Sequence, residues 1–212
     1  MTEQQKLWLE LYKVTGEIKA ADAALEHFGT LAESANVKNE TDTLSDGIYI
    51  CFKDGSRKPF DPMMEYRDEM VSHVGLKLGH LALGVPLKDL GEHELPRNKN
   101  GNFITETWDA IGDYDGKGNT ERLKKAGLEF ELEPGQWIPS LGELRFLFMY
   151  VKQLNVALNH LGAHPFVKDC YWSSTEYGQN NAWNVYFSNG TVYGNLTSYR
   201  TFAYRVRPVV AF

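Results

Sequence analysis

The chain of 212 residues is long enough for one large domain with an appendage, and its 42% hydrophobic and 24% charged residues are ordinary for a soluble globular protein. Its formal net charge of −6 argues against nonspecific nucleic-acid binding, because phosphate contacts need a basic face. No stretch is long and apolar enough to predict a membrane span, and no secretory signal is seen at the N-terminus, so we expect a protein that is cytoplasmic when made.

The first predicted element is an N-terminal helix over residues 3–32. Its apolar residues recur at alternating spacings of four and three, which is the heptad pattern of a coiled coil. They are Leu7, Leu11, Val14, Ile18, Ala21, Leu25 and Phe28. Gly16 and the alanine layers would weaken such a coiled coil. Two interpretations stay open: the helix joins copies of the chain into a homo-oligomer, or it packs on the domain that follows.

A polar segment without periodicity, residues 36–46, predicts a linker. It divides the chain into an N-terminal helix with linker, residues 1–45, and a domain, residues 46–212. Within the domain, residues 47–53 predict a strand, and residues 73–85 predict a strand pair or a bulged strand.

The middle of the domain predicts a loop-rich segment and two helices. Residues 86–118 are loop-rich, and residues 119–126 predict a short helix. Ser140 and Glu143 have the spacing of a capping box, in which each side chain bonds the other residue's amide. This box predicts the start of a helical stretch that continues to Leu161 and is ended by Gly162.

From Cys170 onward the apolar period changes to two, which indicates strands. Trp183, Val185 and Phe187 alternate with polar residues, so we expect the alternation to separate a core face from an outward face. Asn189–Gly190 predicts a hairpin turn. Residues 204–212 predict a final strand that is at an edge or unpaired at Pro208. Helices followed by a small antiparallel sheet predict an α+β fold.

The segment from Tyr177 to Phe212 differs in composition from the rest of the chain. It has no lysine, aspartate or glutamate, and its charged residues are Arg200, Arg205 and Arg207. Tyrosine, asparagine, serine, threonine and glycine fill most other positions, which is the composition of an antibody paratope. The competing interpretation is a plain packed sheet, in which tyrosine and threonine are also common.

An ordered set of motifs in this chain resembles the C-type-lectin-like variable proteins of diversity-generating retroelements, found in gut Bacteroidales and their phages. The motifs are DYDGKGNT (113–120), WIPSLGE (137–143), YWSSTE (171–176), NAWNV (181–185), FSNG (187–190) and RVRPV (205–209). The resemblance covers residues 47–212 and leaves out the N-terminal helix. It implies a C-type-lectin-like ligand-binding domain that is not an enzyme and that sits on a virion or is made by a bacterium.

In this family an error-prone reverse transcriptase rewrites adenines near the 3′ end of the gene, so that asparagine codons become codons for other residues while the fold persists. The resemblance and the predicted outward placement together give candidate ligand-binding positions. These are Tyr177, Gly178, Asn180, Asn181, Asn184, Tyr186, Ser188, Thr191, Tyr193, Gly194, Asn195, Ser198, Tyr199, Thr201, Phe202 and Tyr204. The expected partner is a protein or surface ligand of unknown identity.

The sequence contains few of the residue patterns that an enzyme or a metal site requires. Formylglycine-generating enzymes, which have the same broad fold, use two nearby cysteines, whereas Cys51 and Cys170 are far apart in sequence. We expect both to be reduced, partly buried thiols. The acidic loop of calcium-dependent lectins is missing, and Asp113 and Asp115 fit a turn that caps a helix better than an EF-hand. No cofactor and no metal are expected.

The sequence is therefore compatible with three functions. The leading one is a variable, calcium-independent receptor-binding protein. The second is an invariant binding or structural domain of the same fold. The third is an oxidoreductase of the formylglycine-generating type.

Overall fold

A computed structural model of the chain describes residues 44–194 and 199–212. The predicted N-terminal helix lies outside these residues, so the homo-oligomer stays a prediction. The described part of Ser45–Phe212 holds two sheets and four α-helices in one unit. None of these helices combines the length and the apolar composition that crossing a membrane requires.

The first sheet has four antiparallel strands in the order β2-β1-β3-β4. They are β1 (Gly47–Phe52), β2 (Arg57–Pro59), β3 (Val71–Leu78) and β4 (Leu81–Pro86). The turn after β1 is closed by Asp54, whose carboxylate accepts hydrogen bonds from the Ser56 amide and hydroxyl at 2.9 and 2.6 Å. The strand predicted at 47–53 and the strand pair predicted at 73–85 are confirmed.

The helices lie between the two sheets in the sequence. They are α1 (Thr107–Ile111), α2 (Gly116–Lys125), α3 (Leu141–Met149) and α4 (Val151–His160). The predicted capping box starts α3: the Ser140 hydroxyl accepts from the Glu143 amide at 3.4 Å, and the Glu143 carboxylate accepts from the Ser140 amide at 2.8 Å. Helix α2 begins earlier than predicted because Asp115 caps it by accepting from the Gly118 amide at 3.0 Å.

The helical stretch predicted from Ser140 to Leu161 is confirmed, with one interruption. The backbone leaves the helical range at Tyr150, with φ −110° and ψ 15°, and this residue separates α3 from α4. Leu147 and Leu154 are fully buried on either side of the break. The apolar period therefore runs through the break, and the sequence pattern could not reveal it.

The second sheet has five strands in the order β5-β9-β6-β7-β8. They are β5 (Glu92–His93), β6 (Cys170–Gly178), β7 (Asn181–Tyr186), β8 (Thr191–Tyr193) and β9 (Tyr204–Arg205). The predicted turn at Asn189–Gly190 joins β7 to β8, and Gly190 has a φ of +80°, where glycine is favoured. The sheet is mixed rather than antiparallel, because β6 and β9 run parallel.

The predicted final strand is shorter than expected. Regular pairing ends at Arg205, and beyond it the chain makes isolated bridges, Val209 with Trp137 and Val210 with Gly84. Proline has no amide hydrogen to donate, so Pro208 cannot donate to a strand ladder, and it lies outside regular pairing as predicted. The bridge to Gly84 joins this C-terminal segment to β4 of the first sheet.

Two apolar clusters lie on the two sides of the second sheet's central strands. The larger cluster contains Tyr171, Trp183 and Val185 together with residues of the first sheet and of α3 and α4. The smaller cluster contains Trp172 and Ala182 together with residues of α2 and the loops. Strands β6 and β7 are therefore covered on both faces. The alternation of apolar and polar residues predicted one covered face only.

Candidate binding surface

The described candidate positions divide into outward, intermediate and buried groups. The exposed positions are Asn180, Ser188, Thr191, Tyr193, Tyr199, Thr201 and Phe202. The half-buried positions are Tyr177, Gly178, Asn181, Tyr186 and Tyr204. Asn195 and Ser198 lie outside the described residues. We call the exposed and half-buried positions together the candidate surface.

Asn184 and Gly194 are buried, so their predicted outward placement is wrong. Asn184 pairs across the strands with Trp172, on the face that the smaller cluster covers, and no part of it reaches solvent. A side chain at position 194 would clash, because a Cβ there would lie 2.7 Å from ring atoms of both Trp183 and Tyr177. The alternation of β7 thus separates two buried faces over part of its length.

The residues that were predicted to face the core are buried as expected. Trp183 is 3% exposed, Val185 is fully buried and Phe187 is 5% exposed. The Trp183 indole donates to the Ile104 carbonyl at 2.8 Å, which satisfies its polar atom. Phe187 packs against Tyr171 and Phe166, with ring centroids 4.6 and 5.0 Å away.

A buried ion pair lies directly under the candidate surface. Arg200 Nη2 donates to Glu176 Oε1 at 2.7 Å, and both side chains are at most 1% exposed. Arg200 also donates to the carbonyls of Pro96 at 2.7 Å and Gly178 at 2.9 Å. Burial lowers the pKa of Arg200, and the bond to Glu176 opposes this shift. Arg200 therefore ties the segment between Tyr199 and Thr201 to β6 and to the loop around Pro96.

The backbone beside Arg200 is held as firmly as its side chain. The Arg200 amide donates to the Asn180 carbonyl at 3.0 Å, and the Arg200 carbonyl accepts from the Leu95 amide at 2.9 Å. Asn98 completes the arrangement, since its side chain donates to Glu176 Oε2 at 3.3 Å and its amide donates to the Gln179 carbonyl at 3.1 Å.

The other two arginines of the segment from Tyr177 to Phe212 also make hydrogen bonds and ion pairs. Arg207 is fully buried and donates to the carbonyls of His164 at 2.8 Å and Pro86 at 2.7 Å. Burial lowers the pKa of Arg207 to about 10, although Asp89 opposes the shift. Arg205 is half-buried and donates to Asp169 at 3.1 Å. The sequence pattern assigned no role to these arginines. An arginine in a stretch that lacks acidic residues indicates a partner from elsewhere in the chain.

Strand β6 holds neighbouring loops through buried hydroxyl groups. Ser173, Ser174 and Thr175 are at most 1% exposed. The Ser174 hydroxyl donates to the Ile138 carbonyl at 2.8 Å. The Thr175 hydroxyl donates to the Asp113 carboxylate at 2.7 Å and accepts from the Leu141 amide at 2.8 Å. Side-chain bonds of this kind satisfy buried polar groups that the packed core cannot serve.

The two thiols and the acidic turn lie in different surroundings. Cys51 and Cys170 are free thiols, on β1 and at the start of β6. Burial raises the pKa of Cys51 to about 12 and raises that of Cys170 as well, which lowers the thiolate fraction that redox chemistry needs. Asp113 and Asp115 bond the loop and cap α2, as the turn interpretation predicted. Over residues 44–194 and 199–212, no cluster of His, Cys, Asp or Glu could hold a metal ion.

Comparisons with known proteins give a likeness in fold. No family model matches the chain, and no curated protein matches it. The structure is similar to that of a fimbrial protein from Bacteroides ovatus, with a TM-score of 0.61 and 16% sequence identity. The match covers 80% of this chain and 49% of that one, so the chain spans about half the length of that protein. At this identity the likeness concerns the fold alone.

Proposed function

We propose that this domain is a non-enzymatic binding module of the C-type-lectin-like type, whose C-terminal surface is diversified by a retroelement. One observation carries the proposal. After Tyr177, the outward positions hold tyrosine, asparagine, serine, threonine and phenylalanine and no lysine, aspartate or glutamate, while the residues between them form a buried frame. Binding surfaces that adapt to many ligands have this combination of rigid aromatic and small polar residues.

The frame supports the proposal because it separates folding from recognition. Trp183 and Val185 are held by the core, and Arg200 is held by polar contacts below the surface. Exposed side chains such as Thr191 and Tyr193 contribute little to this frame, and changes at exposed sites usually alter stability by less than about 0.5 kcal/mol. A surface of this kind accepts new side chains while the backbone that presents them stays in place.

The fold shared with a fimbrial protein supports a displayed setting for the module. A domain that binds a receptor is useful on an appendage or a virion, where many copies raise avidity without new contacts. In this setting the chain would supply the recognition part of a larger assembly. The predicted N-terminal helix is one means by which such copies would be joined.

Sequencing the gene and its flanking DNA from many isolates tests the proposal. We expect a near-repeat of the 3′ coding end that differs at adenines, a neighbouring reverse transcriptase gene, and amino-acid variation concentrated at exposed positions such as Tyr193 and Phe202. The buried residues Trp183 and Arg200 are the internal control and should not vary. An invariant surface, or variation concentrated before Cys170, would instead identify an invariant domain of the same fold.

A further inference from the structure

Aromatic rings form a corner on the candidate surface. Tyr199 and Phe202 are 38% and 41% exposed, their ring centroids are 6.0 Å apart, and their planes meet at 89°. The half-buried Tyr204 ring lies 5.8 Å from Phe202 and 4.7 Å from the fully buried Trp172. We call Tyr199, Phe202 and Tyr204 the aromatic corner. Contact with Trp172 connects it to the core.

The corner is preorganised by the residues around it. Arg200, which stands between Tyr199 and Thr201 in the chain, is fixed by Glu176 and by two backbone carbonyls. Tyr199 itself forms an antiparallel bridge with Asn181 at the start of β7. A site whose backbone is fixed before binding loses less conformational entropy when a ligand arrives.

The rim of the corner beside Tyr199 and Phe202 is polar and uncharged. Asn180 and Thr201 are exposed beside Tyr199 and Phe202, and they offer amide and hydroxyl groups. The segment from Tyr177 to Phe212 contains no lysine, aspartate or glutamate, and the Arg200 side chain is buried in its pair with Glu176. Arg97 and Lys99 are exposed on the neighbouring segment and could attract an acidic ligand. An acidic probe is therefore the right control for a neutral one.

We propose that the aromatic corner binds a ring of a neutral saccharide. This names the ligand class for the surface of the proposed function, on which it rests. A pyranose ring offers an apolar C–H face that stacks on one aromatic ring, an edge that meets a second ring set at a right angle, and hydroxyl groups for the rim. It also carries no charge, which matches a corner whose own residues offer none. An extended peptide would bind by adding a strand to a free sheet edge. The outer strand β8 is three residues long and therefore offers few backbone hydrogen bonds for this purpose.

The test uses the full chain and four neutral tetrasaccharides, namely cellotetraose, maltotetraose, mannotetraose and tetra-N-acetylchitotetraose, with tetragalacturonic acid as the acidic comparison. Saturation-transfer NMR and calorimetry measure binding. We expect at least one neutral probe to bind at concentrations up to about 10 mM, and Tyr199→Ala or Phe202→Ala to weaken it about tenfold, since a stacked ring contributes roughly that factor. Tyr199→Phe should retain most of the affinity, and Met63→Ala, at a position that is 90% exposed outside the surface, should retain all of it.

Three outcomes overturn this proposal: no neutral probe binds, the acidic probe binds more tightly than every neutral one, or binding survives both alanine substitutions. Thermal melts of the two alanine variants should match the parent, so that a lost signal reports the site and not unfolding. A diversified gene whose product binds no saccharide would refute the saccharide proposal and leave the proposed function standing. Saccharide binding by an invariant domain would refute the proposed diversification and leave the saccharide proposal standing.

Discussion

The two sheets of this protein are stabilised in different ways. In the first sheet the central buried residues are apolar, as at Ile50, Val74 and Leu76, and they belong to one large cluster. In the second sheet, β6 carries four consecutive buried polar residues from Ser173 to Glu176, each at most 1% exposed. The first sheet is held by packing, and the second is held additionally by directional bonds to loops and to Arg200.

This difference teaches how one domain can combine a fixed fold with an exchangeable surface. Packing in the first sheet depends on the shape of side chains in contact, so any change there is felt by its neighbours. The bonds from β6 fix loop backbones and leave the outward side chains out of the contact. Exposed positions such as Thr191 and Tyr193 can therefore change without loss of a core contact, whereas the half-buried Tyr177 and Tyr204 pack against the clusters. The following experiments test that separation.

The largest effect is expected from breaking the buried ion pair. Arg200→Met leaves the Glu176 carboxylate buried without its partner, and removal of one member of such a pair costs about 3–5 kcal/mol of unfolding free energy. Urea denaturation measures the change. The double variant Glu176→Gln with Arg200→Met should recover part of the loss. Lys124→Ala, which breaks an exposed pair with Glu121, is the control and should have almost no effect.

Two buried titratable groups, Glu143 on α3 and His73 on β3, are expected to make stability depend on pH in opposite directions. Burial raises the pKa of Glu143 to about 7, so its contribution to stability is complete below pH 4.5 and is lost as the pH rises through 7. Burial lowers the pKa of His73, on β3, to about 4, so its contribution is complete above pH 6.5 and is lost as the pH falls through 4. Between pH 4.5 and 6.5 the two effects oppose each other.

Single substitutions should expose each pH effect. Relative to the parent, the stability of Glu143→Gln should rise with pH between 4.5 and 7, and that of His73→Leu should fall with pH between 4 and 6.5. Each difference should amount to about 1–3 kcal/mol across its range, measured by urea denaturation at a series of pH values. Parallel curves for the two variants would contradict the assignment of these groups.

Mirror substitutions compare the two sheets directly. Thr175→Val keeps the shape of the side chain and removes the acceptor of the Leu141 amide, while Val74→Thr adds a hydroxyl to the apolar cluster of the first sheet. Each variant should lose about 1–3 kcal/mol, because each leaves a buried polar group without a partner. If Thr175→Val were neutral in urea denaturation, the polar bonds of β6 would not be what holds the loops.

The smallest effect is expected on the candidate surface. A variant with serine at Thr191, Tyr193 and Phe202 should lose less stability than Arg200→Met alone, because these side chains are exposed and single changes there are usually within about 0.5 kcal/mol. Urea denaturation and thermal melts compare the two variants. A loss as large as that of Arg200→Met would mean that the surface and the frame are not separate.

Local chemistry made several elements readable from the sequence. The capping box of Ser140 and Glu143 and the Asn189–Gly190 turn each depend on residues within a few positions of one another, so the pattern contains its own determinants. The frame residue Trp183 was identified by the alternation of its strand. The contrast between a tyrosine-rich segment without lysine, aspartate or glutamate and the rest of the chain was equally visible in the composition.

Only the tertiary structure decided which predicted surface positions reach solvent and what holds them. Asn184 is buried because a second cluster covers the face that alternation assigned to solvent, and Gly194 is buried because Trp183 and Tyr177 occupy the space of a side chain. Arg200 meets Glu176 from 24 positions away and Pro96 from 104 positions away. A sequence pattern reports the periodicity of a segment, whereas burial depends on what other segments place against it, and those contacts form only when the chain folds.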